Sequence, residues 1–290
     1  MSDIQSQISG IQAQLVSVYP AEEAREMAWW IAEETSGLSR SQLLSGCKGT
    51  TNLSNTQEII ERLLHFEPIQ YVFGHTFWCG LDLRVGPATL IPRPETGELV
   101  ERVRTAALTE YRIQTDNVPL RILDIGTGSG CIAIALKKRH PEWDVTGIDV
   151  SEEAIEIAKE NAQRNGVNVR FEVRDIFGEE WAKSSDEIGG FGCFDIVVSN
   201  PPYVRESEKK GMRKNVLEYE PATALFVPDE DPLKFYRRIA ELHLGKQLFF
   251  EINEAFGQEM RELLERAGYT DIRITRDLYG KERIIEGRMA

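Results

Sequence analysis

The feature that most constrains the fold is a regular alternation of short apolar runs with amphipathic helical segments from Leu120 onward. The apolar runs occupy residues 120–126, 144–149, 168–174, 194–200, 248–253 and 270–275. Short strands that alternate with helices are typical of a parallel sheet with helices on both faces. The pattern therefore predicts an α/β fold with a doubly wound parallel sheet. Residues 178–193 and the chain after Pro202 are predicted as loops.

The first 70 or so residues have a helical pattern instead. Apolar residues at spacings of three and four define one helix face, and they are Ile4, Ile8, Ile11, Leu15 and Val18. Aromatic and β-branched residues then mix with Gly and Pro, as in a hairpin and a connecting segment. We predict a helical bundle over residues 1–72, a hairpin linker over 73–92, and the α/β domain over 93–290.

Composition excludes several classes of protein. With 34 Lys and Arg against 47 Asp and Glu, the net charge is −13, which is unfavourable for binding nucleic acid through its phosphates. No apolar run approaches the roughly 18–20 residues of a membrane helix, and we expect no signal peptide, because the polar N-terminus lacks a basic region followed by an apolar one. The cysteines are scattered, without a CxxC pair, at Cys47, Cys79, Cys131 and Cys193. We expect free thiols, a cytoplasmic location and no metal site.

A glycine-rich loop, DIGTGSG, follows the first strand of the α/β region. Its glycines, Gly126, Gly128 and Gly130, allow a ligand to approach the backbone at the carboxyl end of the strand. Asp149 ends the next strand 23 residues after Gly126, where an acid commonly binds ribose hydroxyls. A dinucleotide fingerprint would have a small residue where this chain has Cys131. The spacing D-x-G-x-G-x-G is the one that S-adenosylmethionine-dependent methyltransferases use, and a nicotinamide cofactor stays as an alternative.

A second motif, Asn200-Pro201-Pro202-Tyr203, directly follows the strand at 194–200. The two prolines remove two N–H donors and fix the backbone, so that carbonyl oxygens are free to accept hydrogen bonds. The Asn200 side chain supplies a further carbonyl oxygen, and Tyr203 supplies a flat ring. Such a site fits a planar –NH2 group. Hydrogen bonds to its two hydrogens would make the nitrogen more nucleophilic and orient it towards a sulfonium methyl group, without a metal.

The chain resembles the class I S-adenosylmethionine-dependent amino-methyltransferases in these motifs, with VRDIF at 173–177 and SNPPYV at 199–204. Residues 67–101 are similar to the hallmark segment of the peptide chain release factor glutamine methyltransferases. The N-terminal helices, EYEPATAL (218–225) and RDLYGKERIIEGR (276–288) fit the same family. The resemblance covers nearly the whole chain and implies a seven-stranded, Rossmann-like methyltransferase domain.

The resemblance also implies a reaction and its residues. The cofactor would be S-adenosylmethionine and the substrate the glutamine of the Gly-Gly-Gln loop in class I release factors. The residues implied for the methionine part of the cofactor are Gly126, Thr127, Gly128, Ser129 and Gly130. Asp149 would bind the ribose, and Asp175 and Ile176 would border the adenine. The residues implied for catalysis are Asn200, Pro201, Pro202 and Tyr203, with Asn200 also beside the cofactor. The bundle and residues 71–92 would recognise the release factor.

One position departs from the family pattern Pro-Arg-Pro-Glu/Asp-Thr-Glu. Gly97 stands where the second acid is usual, and we hypothesise that Glu98 substitutes for it.

Three alternative functions stay open. An adenine-N6 DNA or RNA methyltransferase would use the same NPPY motif and the basic segment 205–214. A non-catalytic cofactor-binding module would not need the intact motif, and a nicotinamide oxidoreductase would need an acid or base that we cannot identify. We expect a monomer without stable nucleic acid and without a membrane.

Overall fold

A computed structural model describes residues 3–45, 56–110, 118–182 and 194–290. Cys47 and Cys193 lie outside these ranges. The chain forms two compact units. The helical unit comprises residues 1–74 together with Arg213–Tyr219, and the sheet unit comprises His75–Met212 and Glu220–Ala290. Within the described ranges, no helix is both long enough and apolar enough to cross a membrane.

The helices are α1 (Asp3–Leu15), α2 (Ala21–Ser36), α3 (Arg40–Leu44), α4 (Thr56–Leu64), α5 (Ile69–Phe73), α6 (Pro94–Glu110), α7 (Cys131–Arg139), α8 (Glu152–Arg164), α9 (Lys214–Tyr219), α10 (Ala222–Leu225), α11 (Lys234–Leu242) and α12 (Gly257–Arg266). The strands are β1 (His75–Trp78), β2 (Leu81–Arg84), β3 (Arg121–Ile125), β4 (Asp144–Asp149), β5 (Arg170–Val173), β6 (Phe194–Ser199), β7 (Val204–Arg205), β8 (Phe226–Val227), β9 (Gly245–Glu251), β10 (Tyr269–Arg276) and β11 (Glu282–Met289).

The helical unit has a core of its own. The predicted face of α1 is buried from Ile4 to Leu15 and packs with apolar residues of α2 and α4. Val18 is exposed, because α1 ends at Leu15 and the helical spacing stops there. A segment from the second half of the chain belongs to this unit. In it, Arg213 forms an ion pair with Glu23, with 3.0 Å between Nη1 and Oε1.

The main sheet of the other unit has seven strands in the order β10-β11-β9-β6-β3-β4-β5. The prediction of a doubly wound, seven-stranded α/β domain is confirmed. Five neighbouring strands, β5, β4, β3, β6 and β9, run parallel. The strand β11, which sequence analysis did not predict, runs antiparallel to both of its neighbours. A tight turn joins β10 to β11, and Asp277 donates its N–H to Lys281 O in it at 2.8 Å. With no crossover helix between them, the two strands must run antiparallel.

The segment after Pro202, predicted as a loop, contains short elements instead. β7 pairs in parallel with β8, so that Val204 lies beside Phe226. Helices α9 and α10 lie between these two strands in sequence. None of these elements exceeds six residues, so they are too short to produce a hydrophobic period that sequence analysis can detect.

The hairpin β1–β2 turns at Cys79 and Gly80, whose φ angles are +49° and +79°. Two successive positive φ angles are the mark of a type I′ hairpin turn. Asn161 on α8 holds this hairpin at Arg84, accepting from its N–H at 2.6 Å and donating to its carbonyl oxygen at 2.9 Å. The same side chain donates to Ser129 O at 2.9 Å. Asn161 therefore ties the hairpin and the glycine-rich loop to one helix.

Replacing Asn161 should destabilise the sheet unit. In Asn161→Ala, the N–H of Arg84 and two carbonyl oxygens lose their partner, and we expect the free energy of unfolding to fall by about 2–4 kcal/mol. Urea unfolding followed by circular dichroism measures the change. Gln163→Ala removes an exposed side chain from the same helix and serves as the control, with a change within about 0.5 kcal/mol. Equal stability of the two variants would contradict this role of Asn161.

Candidate active site

Strand register brings the two predicted motifs to one edge of the sheet. Ile125 pairs with Ile148 on β4 and with Ser199 on β6. The Ser199 hydroxyl also donates to Ile125 O at 2.7 Å. Because these three strands run parallel, the residues that follow them meet at their carboxyl ends, where ligands bind in open α/β sheets. The glycine-rich loop and the NPPY motif are therefore neighbours.

A cavity of about 660 Å³ opens at this edge, within the size range of small-molecule sites. Most of the predicted site residues line it, namely Gly126, Thr127, Gly128, Ser129, Asp149, Asp175, Ile176, Asn200, Pro201 and Pro202. Gly130 and Tyr203 are not part of the lining. The cavity thus joins the predicted cofactor loop to the predicted acceptor site.

The three glycines of the loop have different surroundings. Gly126 and Gly128 have φ angles of +70° and +54°, and a Cβ atom at either would have no neighbour within 4 Å. These two positions leave open space along the backbone for a ligand. A Cβ atom at Gly130 would lie 3.0 to 3.1 Å from side chains of Ile134, Ala158 and Phe171. Gly130 allows close packing behind the loop.

Asp149 lies where the acid for ribose was predicted. Its Oδ2 accepts from Gly128 N and its Oδ1 accepts from Ser151 N, each at 2.9 Å. Burial raises the pKa of this carboxyl group, and these backbone hydrogen bonds oppose the rise. Each carboxylate oxygen has a second lone pair for a ligand hydroxyl.

Two of the apolar lining residues that were not predicted are exposed. Val150 follows Asp149 and Phe177 follows Ile176, and both are exposed at the cavity. Sequence analysis could have identified them only from their positions, directly after the predicted acid and directly after the predicted adenine contact. The open glycines, the spare lone pairs of Asp149 and these two apolar side chains together form a site that fits S-adenosylmethionine. Within the described ranges, no group of three or more His, Cys, Asp or Glu could hold a metal ion.

Asn200 and Tyr203 are linked through residues that sequence analysis missed. Asn200 Nδ2 donates to Thr96 Oγ1 at 3.1 Å, and the Thr96 hydroxyl donates to Glu251 Oε2 at 2.8 Å. The Tyr203 hydroxyl donates to Glu251 Oε1 at 3.0 Å. The Tyr203 ring packs against the apolar cluster around β9 and α11. The signal for Glu251 was a single charge at the end of the apolar run LFFE.

The hallmark segment is fixed beside the cavity by an ion pair. Arg93, which lines the cavity, contacts Glu220 with 2.6 Å between Nη2 and Oε1. Glu220 also accepts from Ile91 N at 3.2 Å and is buried. Neither Gly97 nor Glu98 lines the cavity, so the hypothesis that Glu98 substitutes for the usual acid gains no support. A Cβ atom at Gly97 would lie 2.9 Å from Cys79 Sγ.

Asp124, at the end of β3, is fully buried behind the glycine-rich loop. Its Oδ2 accepts from the Thr127 hydroxyl at 2.7 Å and from Ala133 N at 3.3 Å. Its Oδ1 has no hydrogen-bond partner among the described residues. Burial raises the pKa of Asp124 to about 7, although the two hydrogen bonds oppose the rise.

This raised pKa predicts a pH-dependent stability. Between about pH 4 and pH 7, the unfolded chain has released the Asp124 proton while the folded chain keeps it, so the contribution of this carboxyl group to stability falls as the pH rises. The amide of Asp124→Asn carries no such proton. We expect the difference in free energy of unfolding to shift in favour of Asp124→Asn by up to about 1.4 kcal/mol per pH unit across this window. Urea unfolding at several pH values tests it, and a difference independent of pH would contradict it.

Comparisons with known proteins agree with this geometry. A family model described as a methyltransferase domain matches residues 116–270, and one described as the PrmC N-terminal domain matches residues 10–74. The release factor glutamine methyltransferase of Bacteroides thetaiotaomicron is 44% identical over 287 residues, which are 95% of this chain and 96% of that protein. The protein of the same name from Flavobacterium psychrophilum is 42% identical over 280 residues, 94% of each chain.

Among solved structures, the N-terminal domain of human METTL16 in complex with SAH superimposes with a TM-score of 0.50. The match covers 97% of this chain and 94% of that one at 16% identity, so it supports the fold alone. The long, high-identity matches show the family. The chain belongs to the release factor glutamine methyltransferases and is an S-adenosylmethionine-dependent protein glutamine N-methyltransferase.

Proposed function

We propose that the enzyme methylates the side-chain amide nitrogen of the glutamine in the Gly-Gly-Gln motif of class I peptide chain release factors. The observation that carries the proposal is the position of the NPPY motif. Asn200, Pro201 and Pro202 line the same cavity as the glycine-rich loop, in a chain that matches release factor glutamine methyltransferases over nearly its full length.

When bound, S-adenosylmethionine supplies an electrophilic sulfonium methyl group. We assign its methionine part to the loop from Gly126 to Gly130, where the first two glycines are open to a ligand. Asp149 would accept from the ribose hydroxyls, and Asp175 and Ile176 would border the adenine, since all three residues line the cavity.

The substrate amide is held by acceptors. A glutamine amide nitrogen is a poor nucleophile because it shares its lone pair with the carbonyl group. Asn200 Oδ1 and the carbonyl oxygen of Pro201 accept its two hydrogens, raise the electron density on nitrogen and orient it. Tyr203 supports the site through its ring and its bond to Glu251. The new N–C bond would form as the S–CH3 bond breaks with its electron pair left on sulfur, and the substrate nitrogen would lose one N–H proton to water.

Substrate recognition is assigned to residues 1–72 and to the hairpin linker at 73–92. We also propose a monomer that binds the release factor, without stable nucleic-acid or membrane binding, in the cytoplasm. The net charge of −13 disfavours the alternative of adenine methylation in DNA, which needs basic surface for the phosphates.

Incubation with unmethylated recombinant release factor and S-adenosylmethionine tests the substrate. We expect peptide mass spectrometry to show a gain of about 14 Da, one CH2, on the Gly-Gly-Gln glutamine, as methyl transfer to a nucleophile requires. A release factor with Gly-Gly-Ala in place of Gly-Gly-Gln is the control and should gain nothing there. An unmodified glutamine, with S-adenosylhomocysteine still bound by the enzyme, would reject the release factor and keep the methyltransferase.

Two variants should separate substrate activation from cofactor binding. Asn200→Ala removes an acceptor for the substrate amide, and we expect kcat to fall about 100-fold or more while the Kd for S-adenosylhomocysteine stays within about threefold. Asp149→Ala removes the ribose acceptor, and we expect that Kd to rise about tenfold or more. Isothermal calorimetry and single-turnover kinetics measure the two effects. A pattern in which Asn200→Ala alone weakens cofactor binding would reverse the assigned roles.

A further inference from the structure

We propose that Glu251 and Thr96 are positioning residues that determine which end of the Asn200 side-chain amide points at the substrate. The inference rests on the proposed function, because it concerns how Asn200 becomes an acceptor for the glutamine amide. It assigns a role in methyl transfer to two residues outside the NPPY motif.

The contacts form a chain of hydrogen bonds with one direction. Asn200 Nδ2 donates to Thr96 Oγ1, and Thr96 Oγ1 donates to Glu251 Oε2. Thr96 is 2% exposed and Glu251 is 1% exposed, so bulk water does not replace either partner. Glu251 is itself fixed, because the Tyr236 hydroxyl donates to its main-chain oxygen at 2.8 Å.

A carboxylate has no hydrogen to donate, and this sets the direction of the whole chain. The single hydroxyl hydrogen of Thr96 is used by Glu251, so Thr96 can offer Asn200 only a lone pair. Asn200 must then present its NH2 group to Thr96. A flipped Asn200 amide would take the Thr96 hydrogen and leave a buried carboxylate oxygen of Glu251 without that donor, which is unfavourable.

The hydroxyl groups that donate to both oxygens of Glu251 favour its carboxylate form. Burial raises the pKa of Glu251, while the hydroxyls of Thr96 and Tyr203 and the positive charge of Arg283 oppose the rise. Glu95 is the further charge that acts on it, and it favours the neutral form. Both carboxylate oxygens thus have hydroxyl donors, one from the hallmark segment and one from the NPPY motif.

The consequence is that Asn200 Oδ1 is left for the substrate. Among the described residues, none donates a hydrogen bond to Asn200 Oδ1. This oxygen is also not among the buried polar atoms that lack a partner, so it can be reached from outside the protein. Asn200 lines the cavity. The carbonyl end of the amide is therefore available there, and a carbonyl is what a glutamine NH2 group needs. A flipped Asn200 amide would turn its own NH2 group towards the NH2 group of the glutamine, and two donors do not form a hydrogen bond.

Thr96→Val tests this role, because it keeps the shape of the side chain and removes the hydroxyl. Asn200 then loses the partner that fixes its amide, and we expect kcat to fall more than about tenfold. We expect KM for the release factor and the Kd for S-adenosylhomocysteine to stay within about threefold. Thr96→Ser keeps the hydroxyl and should restore kcat to within about threefold of wild type.

A matched control is Thr146→Val on β4, a buried threonine that does not line the cavity. Its kcat should equal that of wild type. The NMR signals of the Asn200 side-chain amide, assigned by their loss in Asn200→Ala, provide a readout without substrate. They should shift in Thr96→Val and not in Thr96→Ser.

Wild-type kcat in Thr96→Val, or equal losses in Thr96→Ser and Thr96→Val, would overturn the inference. If Thr96→Val does not fold, Glu251→Gln provides the test. The new side-chain amide has an NH2 donor at one of the two positions where the carboxylate accepts from a hydroxyl group. A fall in kcat supports the inference, and wild-type kcat overturns it. A wild-type enzyme that leaves the Gly-Gly-Gln glutamine unmethylated would contradict the proposed function instead, and the Asn200 amide signals would still test the hydrogen-bond chain.

Discussion

Parallel pairing of β3 with β6 is the interaction on which the site depends. Ile125 lies beside Ser199 in this pairing, so the glycine-rich loop and the NPPY motif begin at adjacent points of the same sheet edge. Pairing of β3 with β4 adds Asp149 by the same register. The proposed cofactor loop and the proposed acceptor site must lie side by side for methyl transfer, and the sheet brings together these residues, which are about 70 positions apart in the chain.

Much of the fold and of the site was predictable from the sequence, because the patterns that indicate them involve neighbouring residues. Ser151 stands directly before an amphipathic segment, a position typical of a helix N-cap, and its side chain accepts from Ala154 N at 3.2 Å. The strand at Phe194–Ser199 follows from a continuous apolar run. Gly126 and Gly128 follow from a loop that needs positive φ angles. In each case neighbouring residues determine the structure.

Other features depend on contacts that local patterns do not contain. Thr96 and Glu251 are 155 residues apart, and neither is unusual in its own segment until the sheet places them together. The direction of β11 depends on the turn before it and on its partners, so an apolar run alone did not reveal it. Gly130 resembled the other glycines of the loop, and only its neighbours on α7, α8 and β5 show that it serves packing.

The contact between Gly97 and Cys79 has a consequence for how this sequence can change. The two residues lie in different elements, and a Cβ atom at 97 would lie 2.9 Å from the sulfur at 79. An acid at position 97 therefore requires the thiol to rotate away or a smaller residue at 79. A side chain at 97 and the thiol at 79 therefore compete for the same space, so the effect of a substitution at one position depends on the residue at the other.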